Sequence, residues 1–250
     1  MTGVPTDVLL LLATGAAVAG FVQGLSGFAF GMVSMSIWVW GVEPRVAAVM
    51  AVLGALSGQL LQAFTVRRGL KLAVLAPFLL GAAVGVPLGV AVLPHLDAAL
   101  FRLLLGCMLV VLCPAMLLAH RLPRLTFGGR VGDGVAGAVG GVMGSMGGFT
   151  GVVPTLWSTL RGFDKELQRA VIQNFNLAAL AATFAAFLLS GQVTRNMLPL
   201  MAVVLPALIV PSLIGARVYV GLSELAFRRV VLTLLTAAGV AMIGSWARSG

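Results

Sequence analysis

The chain is divided into eight apolar stretches, at about 8–40, 45–66, 71–94, 98–119, 131–161, 167–190, 196–217 and 224–246. Most run to roughly 20–24 residues, the length that crosses a hydrocarbon core of about 30 Å. No acidic residue lies deep in any of them: Asp7, Glu43, Asp97, Asp133, Asp164, Glu166 and Glu224 all sit near stretch ends. Only 9 % of the residues are charged and 60 % are apolar, whereas a soluble domain has roughly a quarter of its residues charged. The bilayer must therefore be the solvent for most of the chain, and the fold class expected is an all-α polytopic membrane protein. The net charge of +9 would suggest nucleic acid in a soluble protein. Here the basic residues occupy short loops, where membrane topology places them, so no nucleic-acid partner is expected. The absence of Lys or Arg ahead of the first apolar run argues against a cleaved signal peptide.

Two of the stretches, 8–40 and 131–161, are too long for one crossing, since a helix of about 31–33 residues would reach nearly 50 Å. Both carry a Gly-rich break, and internal similarity explains the pair. Shifted by 120 positions, Gly20, Val22, Gly24, Gly27 and Gly31 fall on Gly140, Val142, Gly144, Gly147 and Gly151. Shifted by 126, Gly89, Val92, Leu96, Phe101 and Arg102 fall on Gly215, Val218, Leu222, Phe227 and Arg228. The chain therefore reads as an N-terminal repeat, 1–119, a cytoplasmic linker, 120–130, and a C-terminal repeat, 131–250.

Each long stretch either crosses once or turns back as a re-entrant hairpin. The distribution of cations separates the two. With single crossings, eight basic residues fall on each face, which sets no orientation. With hairpins, one face holds only Arg45, Arg102, Arg195 and Arg248 and the other holds the remaining twelve. The hairpin reading makes the halves two inverted repeats, each with a broken first segment plus three transmembrane helices. It expects half-helices of about 13–15 residues, both termini outside, and breaks inside the membrane. Irregular backbone at that depth is tolerated only where protein or a watery cavity meets it, and in inverted-repeat transporters such breaks form the substrate site.

The candidate binding residues follow from those breaks. The first contains Gly24, Ser26, Gly27 and Phe28; the second contains Gly144, Ser145, Gly147, Gly148 and Thr150. A short helix is expected to start after each, at about 28 and 150. Its first-turn N–H groups and dipole hold an anion without a charged side chain. Glycine lets the ligand reach the backbone, and Ser26, Ser145 and Thr150 add hydroxyls. Helix packing through small residues is the competing explanation. The second helix of each half adds amides, Gln59 and Gln62 in one, Gln173, Asn174 and Asn176 in the other; Asn174 and Asn176 are placed beside the second break. Gly81, Gly85 and Gly89 lie four apart and read as a packing face. The lack of intramembrane carboxylates favours an anion over a cation. No catalytic or metal-binding motif is recognisable, so no enzyme activity, metal or cofactor is expected.

These residues together resemble the sulfite exporter TauE/SafE family, also called toluene sulfonate uptake permeases. The pattern appears as Gly20–Gly31 followed by Glu43-Pro44-Arg45, and again as Gly140–Gly151 with Pro154, then Phe163-Asp164-Lys165. The Arg67-Arg68-Gly69 turn and the Gly81/Gly85/Gly89 helix also fit. Two departures stand out: Ser26 and Phe28 occupy a break that is often richer in glycine, and Ser34 replaces the proline seen as Pro154 in the second half. The resemblance implies transport of small sulfur-containing anions such as sulfite or organosulfonates across the bacterial inner membrane and fixes neither the anion nor the direction; the function expected is a secondary transporter working as an exporter. Its expected partners are that anion and the lipid bilayer, with a homodimer as an open assembly state. A passive anion channel and a non-transporting membrane assembly factor remain the alternatives.

Overall fold

The computed structural model describes residues 5–26, 29–65, 69–119, 123–125, 127–217 and 224–249. Gly27, Phe28, Arg67, Arg68, Val218 and Leu222, which the sequence reading uses, lie outside the described residues. The described residues form helices and connecting turns, with no strand. In order these are α1 (Thr6–Ser26), α2 (Phe30–Trp38), α3 (Pro44–Thr65), α4 (Leu72–Val92), α5 (Ala98–Leu118), α6 (Gly129–Gly147), α7 (Val152–Leu160), α8 (Lys165–Leu189), α9 (Leu198–Arg217) and α10 (Glu224–Ser249). Seven of them, α1, α3, α4, α5, α8, α9 and α10, are long and apolar enough to cross a membrane. Helices suit this medium because they satisfy their own backbone hydrogen bonds. The acidic residues at segment ends work as caps. Asp97 accepts from the Leu100 N–H at 2.7 Å and Asp164 from the Leu167 N–H at 2.8 Å, starting α5 and α8.

Both long stretches break and double back. At the end of α2, Trp38 Nε1 donates to the Leu11 carbonyl at 3.1 Å, and its indole fills the space over Gly15. At the matching point of α7, Trp157 covers Gly128 and Gly132 and donates from Nε1 to Asp133 Oδ1 at 2.8 Å. Thus α2 returns along α1, and α7 returns along α6. The arms are unequal, which corrects the expected half-helices of 13–15 residues. They run to 21 and nine residues in the first hairpin and 19 and nine in the second. The outgoing arm α1 is about 31 Å long, because the left-handed turn that ends it falls late in the stretch.

Glycine seams join the halves. Gly81, Gly85 and Gly89 of α4 meet Gly134, Ala138 and Val142 of α6 in ascending order, backbone against backbone. The two helices therefore run parallel. Gly20 and Gly24 of α1 meet Leu208 and Ser212 of α9, and Gly215 meets Phe21, again parallel. Helices α5 and α10 cross at Gly106 and Gly239, where each carbonyl lies 2.9 Å from the position a Cβ would take on the other glycine. The packing role expected for Gly81, Gly85 and Gly89 is what the structure shows. On the opposite face of α4, Leu80, Val84 and Leu88 are exposed, as a lipid-facing surface would be. At the centre lies α3, whose residues Ala47 to Val52 are all wholly buried.

The seam makes a direct prediction. A Gly85→Leu side chain meets the backbone of Ala138, which cannot swing aside, so it should cost about 3 kcal/mol or prevent folding. Val84→Leu, on the lipid side, should leave the melting temperature in detergent unchanged.

Candidate functional site

The two breaks converge on the middle of α3. Gly148 ends α6 with φ 78°, and its N–H donates to the Gly144 carbonyl at 2.7 Å, a left-handed helix cap that glycine adopts without strain. Ala29 takes φ 83° just before α2, a conformation costing a Cβ-bearing residue about 1 kcal/mol. Phe30 of the first hairpin packs onto Gly54 of α3, while Gly148 lies 3.2 Å from the Ala51 carbonyl and the Ala55 methyl, measured from where its Cβ would be. The breaks also touch each other: Gly31, in the first turn of α2, sits against the Gly147 carbonyl at the end of α6. The positive end of one short helix thus abuts the negative end of the other hairpin's long arm.

Polar side chains gather round this junction, and none of them is charged. Thr150 is buried, and its Oγ1 donates to Asn176 Oδ1 at 3.0 Å. The Asn176 amide fills the space over Gly151, next to the start of α7. No described residue accepts a hydrogen bond from its Nδ2. On the first hairpin, Gln23 is 1 % exposed, its amide covers Gly58 of α3, and its Oε1 has no partner. Two buried amides, Gln23 on the first hairpin and Asn176 on α8 against the second, therefore keep unspent hydrogen-bonding capacity beside the junction.

The other residues expected at the site divide by what they touch. Gly144 lies under the Thr150 methyl, and Gly147 lies against Met35 and Phe149, so both belong to the junction. Gly24 belongs instead to the α1–α9 seam, against Ser212. Ser145 is fully buried and donates to the Val86 and Gly141 carbonyls, both at 3.2 Å, which ties α6 to α4. Ser26 donates to the Val22 carbonyl at 2.8 Å. Asn174 is not beside the break. Its Nδ2 donates to the Gly69 carbonyl at 3.0 Å and the Ala170 carbonyl at 2.7 Å, bracing the turn between α3 and α4. The reason is helical geometry: residues two apart point in different directions, so Asn174 and Asn176 cannot serve one site. Gln23 was the residue left out. The signal for it was present, as a lone amide one residue before the first break in an otherwise apolar span.

At its open end the second hairpin is held by charge. Arg161 Nη1 lies 2.7 Å from both carboxylate oxygens of Asp133 and 3.1 Å from the Gly129 carbonyl, with its guanidinium 5.3 Å from the centre of the Phe163 ring. Together with Trp157, this fixes α7 against α6 at the end away from the junction. Asp133→Ala would leave two donors without their acceptor. The expected loss is about 3 kcal/mol, the lower end for a broken buried pair because Arg161 remains partly exposed. Thermal unfolding in detergent measures it.

The sequence family described as sulfite exporter TauE/SafE matches residues 11–242. A search of curated proteins returned no match, and a search of solved structures returned none either.

Proposed function

The chain belongs to the sulfite exporter TauE/SafE family, and on that premise we propose that it is a secondary transporter, working as an exporter, of small sulfur oxyanions such as sulfite or organosulfonates. The observation that carries this reading is the uncharged junction of the two breaks, with the Asn176 Nδ2 and the first-turn N–H groups of α2 as donors. Backbone and amide N–H groups at a helix start hold an anion without a formal positive charge. A site with no cation favours a single negative charge over two, because the desolvation cost of an ion grows with the square of its charge. The monoanionic form, hydrogen sulfite or a sulfonate, is therefore the species we assign. Gly27, Phe28, Ser26, Gly144, Gly147, Gly148, Thr150 and Asn176 remain the proposed lining, with Gln23 added, Asn174 and Ser145 in supporting positions, and Gly24 in the α1–α9 seam.

Two inverted repeats, 1–119 and 131–250, give this site its means of alternating exposure. The reading is supported by exchanged helix pairs: α4 runs beside α6 as α1 runs beside α9, and α5 pairs with its own counterpart α10. The Gly31 contact with the Gly147 carbonyl closes the junction, so an anion needs the hairpins to part, which favours a carrier over an open channel. Arg45, Arg102, Arg195 and Arg248 lie at the end of the bundle shared by the termini, and Lys71, Arg124, Arg130, Arg161 and Lys165 lie at the linker end. By the distribution of positive charge, the linker faces the cytoplasm of a bacterial inner membrane and the termini face outward.

Counterflow in proteoliposomes tests the transport reading. Vesicles preloaded with unlabelled sulfite or a sulfonate should draw in labelled anion transiently above its equilibrium level. In Thr150→Val and Asn176→Leu proteins, the half-saturating concentration should rise roughly tenfold with the fold retained. Simple equilibration would make the protein a channel. No flux of any sulfur anion through folded protein would remove the transport reading altogether.

A further inference from the structure

A cavity of about 640 Å³ opens where α3 begins and α4 and α8 end, lined by Arg45 of α3, Pro87 and Val90 of α4, and Ala186, Leu189 and Gln192 at the end of α8, among others, and by none of the junction residues. These are the first turn of α3 and the last turns of α4 and α8. The parallel course of α4 and α6 places them at the end of the bundle opposite the linker. Two polar side chains hold the cavity's shape with part of their hydrogen bonding and leave the rest unused. Arg45 Nη2 donates to the Gly191 carbonyl at 2.8 Å, while its buried Nε has no partner. Gln192 is 4 % exposed, and its Nε2 donates to the Val90 carbonyl at 2.7 Å, while its buried Oε1 has no partner. The bond to Val90 also settles which way the amide faces, since a carbonyl oxygen there would meet another acceptor. A buried polar atom without a partner is costly enough to call for a ligand or water. Pro87 and Pro94 contribute wall without any backbone N–H of their own.

We propose that this cavity is a second anion site, on the face opposite the linker, and that it takes a small monovalent oxyanion that also carries one O–H or N–H. The Arg45 guanidinium supplies a positive charge and an unspent N–H for the anionic oxygens. The Gln192 Oε1 supplies an acceptor that a bare anion cannot satisfy and that a hydroxyl, amino or acid proton can. Hydrogen sulfite and hydroxyl-substituted sulfonates satisfy both members of this pair, whereas plain alkanesulfonates satisfy Arg45 alone and sulfate carries a second charge and no proton. The site differs from the junction in having a cation, so it captures or releases the anion at the outer mouth. The sulfur class of the ligand rests on the proposed function, whereas the charge and donor requirement rests on Arg45 and Gln192 alone. An anionic lipid headgroup offers the same oxyanion chemistry, and the test separates the two sources.

The test reads Arg45 itself, through its labelling by an arginine-directed dicarbonyl reagent and mass spectrometry of the full chain in nanodiscs. In phosphatidylcholine discs, hydroxyethanesulfonate should protect Arg45 at concentrations roughly tenfold lower than propanesulfonate, which is of similar size and lacks the O–H. Gln192→Met should abolish that preference and leave propanesulfonate protection in place, and Thr150→Val should change neither. Equal protection by both sulfonates in the wild type would overturn the proposal without recourse to any variant. Protection by phosphatidylglycerol discs alone, with no sulfonate added, would assign the site to a lipid headgroup and overturn it as a free-anion site. Protection of Arg45 in a protein that fails the counterflow assay would sink the transport reading and leave this site standing. Flux without protection would do the reverse.

Discussion

Close approach of backbones at glycine is the constraint on which the rest depends. In a bilayer, apolar side chains gain nothing by leaving lipid for protein, so helices associate through packing at short range and through backbone contacts. Here that happens along two matched seams, α4 on α6 and α1 on α9, where carbonyls occupy the space a Cβ would need. Each seam joins the fourth helix of one half to the first arm of the other. The seams therefore set how far α1 and α6 reach into the bundle, and so where their ends lie. Without that depth, the breaks at the two hairpin tips would not share a level on α3.

The junction follows from the seams and from two tryptophans. Trp38 and Trp157 fasten the short return arms to the long ones through the Leu11 carbonyl and Asp133. With both ends of each hairpin held, the tips have one place to go. Left-handed backbone at Ala29 and Gly148 turns the chain there. What results is a neutral, largely buried meeting point of helix ends with unspent amide capacity. Fixed dipoles of that kind can hold a monovalent anion and let it go, whereas a buried arginine or lysine would bind more tightly and release more slowly.

Much of this was legible in the sequence, and the parts that were not have physical reasons. The scarcity of charge fixed the bilayer as solvent, and the unequal loops argued for hairpins, because a single crossing left eight cations on each face. The four-residue spacing of Gly81, Gly85 and Gly89 read directly as a seam. The arm lengths did not, since hydropathy falls only gradually through the Gly-rich breaks and marks no turn within them. Asn174 was misplaced because composition gives the depth of a residue without the face it occupies. Gln23 was passed over although it is a lone amide beside Gly24 in an apolar span; what the packed structure adds is that its amide is buried with an oxygen left over. The Asp133–Arg161 pair was invisible because the partners are far apart in sequence and both near segment ends, where solvated charges are the ordinary expectation.

The central claim is that both halves begin with a hairpin, so that their tips meet inside the membrane from opposite faces. It is tested most directly by the sidedness of two exposed positions, Glu43 and Lys165, each just past a hairpin. In a background with Cys107 and Cys113 replaced by alanine, Glu43→Cys and Lys165→Cys would each be exposed to a membrane-impermeant maleimide in intact and in permeabilised cells. The hairpin architecture predicts that Glu43→Cys is labelled from outside and Lys165→Cys only after permeabilisation. Labelling of both from the same face would mean that each long segment crosses once, and the junction of breaks described here would not exist in the membrane.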